Sequence, residues 1–251
     1  MLSNKTIFIT GATAGFGLAC AKLFISHGAK VIATGRRKER LDALRAESSS
    51  IHAIALDVRD RAAVESAISQ LPEPFSAVDI LINNAGLALG LGSYEQQPPD
   101  DLEQMVDTNI KGVMHCTHAL LPGMLARNYG HIVNLSSIAG TYPYPGGNVY
   151  GATKAFITQF SLNLRADLLG KNIRVTNIEP GMCDTEFSTV RFHGDKAKAD
   201  SIYAGMKPLS AEDIAQTIFW TITQPEHVNI NRVEIMPVMQ AFSAFAVNRK
   251  S

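Results

Sequence analysis

Ser137, Tyr150 and Lys154, three side chains able to move or steer a proton, fall within eighteen residues of sequence. Tyr150 and Lys154 are four apart at the start of a stretch that carries no Pro or Gly from Ala155 to Leu169 and so reads as helix. Positions i and i+4 share a helix face, which can bring the ammonium beside the phenol. A free tyrosine titrates near pH ~10, too high for a base at neutrality. A fixed positive neighbour favours the phenolate, and a lowered pKa is what a general acid/base needs. Ser137 follows the apolar run 131–135, which reads as a buried strand. A strand end facing a helix start would let the hydroxyl meet a substrate oxygen held by Tyr150. Taken alone, a Tyr and a Lys at this spacing are as readily a solvated pair, so their weight depends on the rest of the chain.

The elements that would position these groups alternate. Short β-rich runs at 6–9, 31–34, 51–56, 78–82, 131–135, 173–178 and 228–237 are separated by helical patterns at about 15–27, 38–47, 62–71, 101–125, 150–169 and 211–223. Pro122 is expected to bend or end the fifth strand's preceding helix. Residues 182–208 are polar and irregular, long enough for a lid. Seven runs with interleaved helices predict an α/β, doubly wound, mostly parallel sheet with helices on both faces and ligands at the carboxyl ends of its strands. One catalytic domain over 1–251 is the simplest organisation, since there is no internal repeat, low-complexity segment or linker.

Gly11, Gly15 and Gly17 follow the first strand and open a helix. A nucleotide pyrophosphate needs that setting: bare backbone for close approach, and a helix N-terminus with unpaired N–H groups. The same three glycines would also make a plain tight turn. At the end of the second strand, where an acid would mark NAD, stand Arg36 and Arg37. Two guanidiniums would bind a 2′-phosphate by charge-assisted pairing, favouring NADP. Arg40 reads as the solvated start of a helix, and Arg36, Arg37 and Lys38 have the same reading open to them. Asp57 could accept from an adenine amino group or cap the helix near Asp60. Asn84-Ala85-Gly86 ends the fourth strand, where small residues would let an adenosine ribose pack, unless they form a simple β-turn.

Charge balances at 23 Lys+Arg against 23 Asp+Glu, so no global field argues for nucleic acid or an anionic membrane. The partner is expected to be a small molecule. Cys20, Cys116 and Cys183 form neither a CxxC pair nor a disulfide framework, which suits a reducing cytosol. Without an apolar run of eighteen or a leader-like start, a cytoplasmic location is expected. His115 and His118 are three apart with no third ligand nearby, so no metal is expected. Nothing marks the Cys183 thiol as activated.

Taken together, TGATAGFG (10–17), NNAG (83–86), Asn109, SSIAG (136–140), YGATK (150–154) and Pro180-Gly181, in this order, resemble the short-chain dehydrogenase/reductase family over nearly the whole chain. The resemblance implies Tyr150 as acid/base, Lys154 lowering its pKa and holding the nicotinamide ribose, and Ser137 bonding the reacting oxygen. It implies that Asn109, otherwise merely a helix Asn, anchors a water linking Lys154 to solvent. Pro180-Gly181 would lie beside the nicotinamide, Thr185 would reach its carboxamide, and Thr13, Ala14, Phe16, Val58 and Phe187 would complete the cofactor contacts. Within the family, GLALG (86–90), the run 146–165, TEFSTVRF (185–192) and 228–238 are similar to the NADP-dependent 3-hydroxy acid dehydrogenases, which oxidise serine, allo-threonine and similar short acids. The 3-oxo product could then lose carbon dioxide unaided. A carbonyl or 3-oxoacyl reductase and a non-catalytic NADP-binding regulator are the alternatives.

A hydroxy acid brings a carboxylate, whose burial demands a cation or several donors. Arg191, with His193 nearby, is the candidate clamp; a surface position for Arg191 is equally open. The apolar tail 239–251, with Phe242, Phe245 and Val247, is expected to cover a neighbouring subunit, as in this family's tetramers.

Overall fold

A computed structural model of the chain describes residues 2–242. The seven strands are β1 (Thr6–Ile9), β2 (Lys30–Gly35), β3 (Ile51–Ala55), β4 (Ile80–Asn83), β5 (Gly130–Leu135), β6 (Ile173–Pro180) and β7 (Arg232–Ile235). They form one sheet in the order β3-β2-β1-β4-β5-β6-β7, and every pairing is parallel. From β1 the chain winds outward to β3, then crosses back to build β4 to β7 on the other side. The reversal between β1 and β4 opens a crevice at the carboxyl ends of the strands.

The apolar runs exist because both faces are covered. Ile7, Ile9, Val31, Ala33, Ile80, Ile82, Val133 and Leu135 point to one side, where they bury Cys20 and Phe24 of α1 (Gly15–Ser26) and Ile214 and Ile218 of α9 (Ala211–Ile222). Phe8, Ile32, Leu81 and Ile132, alternating with them, point to the other side. There they meet α3 (Arg61–Ser69), α5 (Gly112–Arg127) and α6 (Asn148–Asp167) through Val64, Cys116, Leu120, Met124 and Leu164. Helix α2 (Lys38–Glu47) lies beside β2 and β3, to which it contributes the buried Leu41 and Leu44.

Four elements differ from the sequence expectation. The helix read over 101–125 is three pieces: α4 (Pro99–Val106), a π-helical turn Asp107–Lys111 that carries Asn109, and α5. Helix α5 runs through Pro122 to Arg127 instead of ending there. The segment 182–208 is not irregular, because it holds α7 (Glu186–Arg191) and α8 (Lys196–Ser201), each started by a side-chain cap, from Thr185 and Asp195. Strand β7 is shorter than 228–237 because the Asn229 amide replaces backbone pairing, accepting from Val175 N at 2.8 Å and donating to Val175 O at 2.9 Å. Among the described residues, no helix is long and apolar enough to cross a membrane.

Candidate active site

The first strand ends in the turn Thr10–Gly17, and its shape is fixed by β4's end. Asn84 donates through Nδ2 to Thr10 O and Gly11 O at 2.8 and 3.2 Å, so it braces the turn. Gly11 and Gly15 sit at φ 68° and 49°, where a side chain is strained. A Cβ on Gly17 would stand 2.3 Å from Gly11 O, so Gly17 serves the closure of the turn itself. Helix α1 begins at Gly15 with no side-chain cap and no acid in its first turn. Its N-terminal amides are thus left to an external anion. These features fit a dinucleotide's pyrophosphate.

The catalytic candidates come from β5 and α6. Ser137 caps the short 3₁₀ turn Ile138–Gly140, accepting from Ala139 N at 3.1 Å. This turn packs tightly on α6: a Cβ on Gly140 would meet the Lys154 carbonyl carbon at 2.8 Å, and one on Gly151 would meet Ala139 O at 2.9 Å. Ser136 Oγ ties the same elements by donating to Lys154 O at 2.7 Å. Ser137, Tyr150 and Lys154 therefore face one cleft, of about 500 Å³, whose other end is Gly11, Ala14, Gly15 and Phe16. Lys154 Nζ donates to Leu135 O at 2.8 Å and lies 5.7 Å from the Tyr150 ring centroid. Asn109 does not line the cleft. Its amide closes onto Leu87 N and Leu87 O at 2.9 and 2.8 Å and onto Thr153 Oγ1 at 3.0 Å, just behind Gly86.

The electrostatics differ from the expected effect of Lys154 on the phenol. Burial pushes the Tyr150 phenol up to about 12 and the Lys154 ammonium down to about 8. After burial, the largest influence on Tyr150 is Arg191, which lowers its pKa, followed by Tyr144, which raises it, and Ser137, which lowers it. Arg191 stands with its guanidinium carbon 5.1 Å from the Tyr150 ring centroid and 5.3 Å from that of Phe187. Its Nη2 donates to the Tyr144 hydroxyl at 3.0 Å, while its buried Nε has no partner among the described residues. Arg191 is thus a wall of the cleft, not a surface residue. His193 is not beside it there; it pairs with Asp101 at 3.0 Å, outside the cleft lining.

The remaining candidates divide. Ala85, Gly86, Pro180, Gly181, Thr185 and Phe187 line the cleft, and Thr185 Oγ1 also caps α7 by accepting from Phe187 N at 3.2 Å. Arg37 reaches the cleft, with Nε and Nη2 donating to Thr13 Oγ1 at 3.1 and 2.9 Å. Arg36, Asp57 and Val58 do not line it. The Asp57 carboxylate is held by Arg59, whose hydrogen bond above all lowers its pKa. Asp57 does not cap α3, since that role belongs to Asp60, which accepts from Ala63 N at 3.0 Å. Val58 packs under Gly112, and its carbonyl lies 2.9 Å from His115 Nδ1.

Residues that the sequence reading passed over also shape the site. Arg40 is not simply solvated: its Nη1 donates to Glu186 Oε1 at 2.7 Å and to Thr13 O at 3.2 Å. Tyr144 and Glu186 carried no sequence signal of their own. Gln240 Oε1 accepts from Met182 N at 2.8 Å, and the Phe242 ring lies tilted against Tyr142 with centroids 4.8 Å apart. This part of the tail, expected on a neighbouring subunit, lines the chain's own cleft. Phe245 and Val247 lie outside the described residues.

The short chain dehydrogenase profile matches residues 5–196. A serine 3-dehydrogenase of Rhizobium radiobacter is 55% identical over 249 residues, 99% of this chain and 100% of the relative. An NADP-dependent 3-hydroxy acid dehydrogenase of Escherichia coli (strain K12) is 52% identical over 97% of this chain and 99% of its own. The closed form of a serine dehydrogenase complexed with NADP+ superposes with a TM-score of 0.97 at 52% identity, covering 98% of this chain and 100% of that one. Matched by the family profile over residues 5–196 and by such relatives over nearly its whole length, the chain belongs to the short chain dehydrogenase family.

Proposed function

We propose that this protein is an NADP-dependent dehydrogenase that oxidises short 3-hydroxy acids of the serine, allo-threonine and 3-hydroxypropionate type. The carrying observation is that one cleft holds the Ser137-Tyr150-Lys154 set and, over the same phenol, the Arg191 guanidinium with a buried Nε that no described residue partners. When bound, NADP+ supplies the hydride acceptor at its nicotinamide ring. The glycine turn and the open N-terminus of α1 hold the pyrophosphate, and Arg37 the 2′-phosphate. Arg191 takes the substrate carboxylate by charge-assisted hydrogen bonds, which fixes the 3-hydroxyl between Ser137 and Tyr150. Tyr150, as phenolate, accepts the 3-hydroxyl proton as the hydride leaves C3, for which a bound nicotinamide would be the acceptor. Behind the phenol, Asn109 would anchor a water that links Lys154 to solvent.

The reading extends to a homotetramer working in the cytoplasm, with residues 182–208 as a lid. Supporting it are the exposed apolar Met114 and Leu125 on α5 and Phe156 and Leu162 on α6, and three free, buried cysteines. Light scattering on the purified chain tests the subunit number. The decisive test of function follows reduced-cofactor absorbance with serine, allo-threonine and 3-hydroxypropionate, each with NADP+ or NAD+. Turnover with NADP+ is expected; turnover of none of the three acids overturns the reading.

A further inference from the structure

Glu186, the first residue of α7, reaches across the mouth of the cleft and joins both arginines on the opposite bank. Its Oε2 accepts from Arg37 Nη1 and its Oε1 from Arg40 Nη1, each at 2.7 Å. Arg37 and Arg40 in turn hold Thr13 in the glycine turn, through its hydroxyl and its carbonyl oxygen. Next to this bridge, Thr185 lies against Gly15, where an added Cβ would be 3.6 Å from it. The base of the 182–208 segment is therefore fastened to the turn by one carboxylate shared between two guanidiniums. Hydrogen bonding from Arg37, above all, holds the Glu186 carboxyl below its ordinary range, so the group is ionised at neutral pH.

Resting on the NADP reading above, we propose that Glu186 is a specificity-determining residue: an internal counter-anion that occupies the 2′-phosphate donors and is displaced from them when the phosphate arrives. The physical reason is competition between two anions for the same cations. Arg37 gives Nε and Nη2 to Thr13 and Nη1 to Glu186, so the carboxylate's charge already sits on the guanidinium that would receive the phosphate. A phosphate monoester carries about −1.5 to −2 charges and competes for the same guanidinium edge. A carboxylate left in place would repel it. A cofactor without the 2′-phosphate leaves the Glu186 bridge intact. Phosphate recognition and the anchoring of α7 are thus alternatives at one pair of arginines, and the carboxylate moderates the preference for NADP over NAD.

The test uses the full chain, with adenosine 2′,5′-bisphosphate and adenosine 5′-monophosphate as probes, so turnover is not the readout. Calorimetry on Glu186→Gln, an isosteric change at a half-exposed site, should show the bisphosphate bound about threefold tighter or more, on the scale of an exposed charge pair. The monophosphate should bind as it does to the wild type. In the wild type, hydrogen exchange of the segment 186–201 should be faster with saturating bisphosphate than with saturating monophosphate. Unchanged or weaker bisphosphate binding in Glu186→Gln, or equal exchange with the two nucleotides, overturns the proposal. Wild-type preference for the bisphosphate over the monophosphate reports separately on the NADP reading, and its absence overturns both.

Discussion

The Arg191 guanidinium carbon lies 5.1 Å from the Tyr150 ring centroid, nearer than the Lys154 ammonium nitrogen at 5.7 Å. The cation that pulls the phenol's pKa down is therefore the one to which the proposed function gives the substrate carboxylate. On that proposal, substrate recognition and proton transfer share a residue.

That sharing predicts two effects of Arg191→Leu. The KM for serine should rise by about tenfold or more, as expected when a charge-assisted contact is lost, with NADP+ affinity unchanged. Removing the cation also raises the phenol's pKa, so the alkaline rise of kcat/KM should move to higher pH. An unaltered KM would place Arg191 outside the substrate site.

Burial holds the Tyr150 phenol up at about 12, which fixes the direction of the pH dependence. Oxidation needs the phenolate, so its rate should climb by about tenfold per pH unit below that value until another step limits it. Reduction of the 3-oxo acid needs the protonated phenol and should stay flat over the same range. Parallel pH profiles in both directions check this; an oxidation rate falling with pH would contradict it.

Replacement Tyr150→Phe keeps the ring against Phe187, 5.6 Å between centroids, while removing the proton carrier. A loss of about 10²–10⁴ in kcat is expected, with the thermal midpoint and NADP+ binding preserved. Retained turnover would move the acid/base role elsewhere.

Lys154 presents a trade between stability and activity. Its folded-state pKa of about 8 lies below the ordinary 10.5, so the unfolded chain holds a proton that the folded chain releases. Stability from this group therefore rises with pH across that window, and below about pH 8 its burial as an ammonium costs the full amount. At ~1.4 kcal/mol per unit the cost is roughly 3 kcal/mol. Against it stands the bond to Leu135 O, worth about 1 kcal/mol. Lys154→Met should be inactive yet about 2 kcal/mol more stable at pH 7, a gain that fades from pH ~8 and is gone by pH ~10.5 in denaturant titrations.

Gly17→Ala tests the turn without touching the proton-transfer set. The new Cβ would stand 2.3 Å from Gly11 O, a backbone atom that cannot yield cheaply. Destabilisation by about 1–3 kcal/mol is expected, together with weakened NADP+ binding by calorimetry.

The sequence by itself determined the α/β alternation, the seven-stranded sheet and the placing of Ser137, Tyr150 and Lys154 at the carboxyl end of a strand and the start of the helix that follows it. Strands buried on both faces must be continuous apolar runs, and an i,i+4 pair is a property of a single helix, so both are written locally. Only the tertiary structure decided the rest. That burial, not Lys154, dominates the Tyr150 pKa depends on walls contributed by Phe187, Tyr144 and Arg191. The role of Arg40 was hidden because its partner, Glu186, is 146 positions away. The short β7 arises where the Asn229 side chain satisfies a backbone donor that a local reading assigns to strand pairing. Hydrophobic periodicity is one-dimensional, whereas solvation and charge depend on which remote residues the fold brings within a few ångströms.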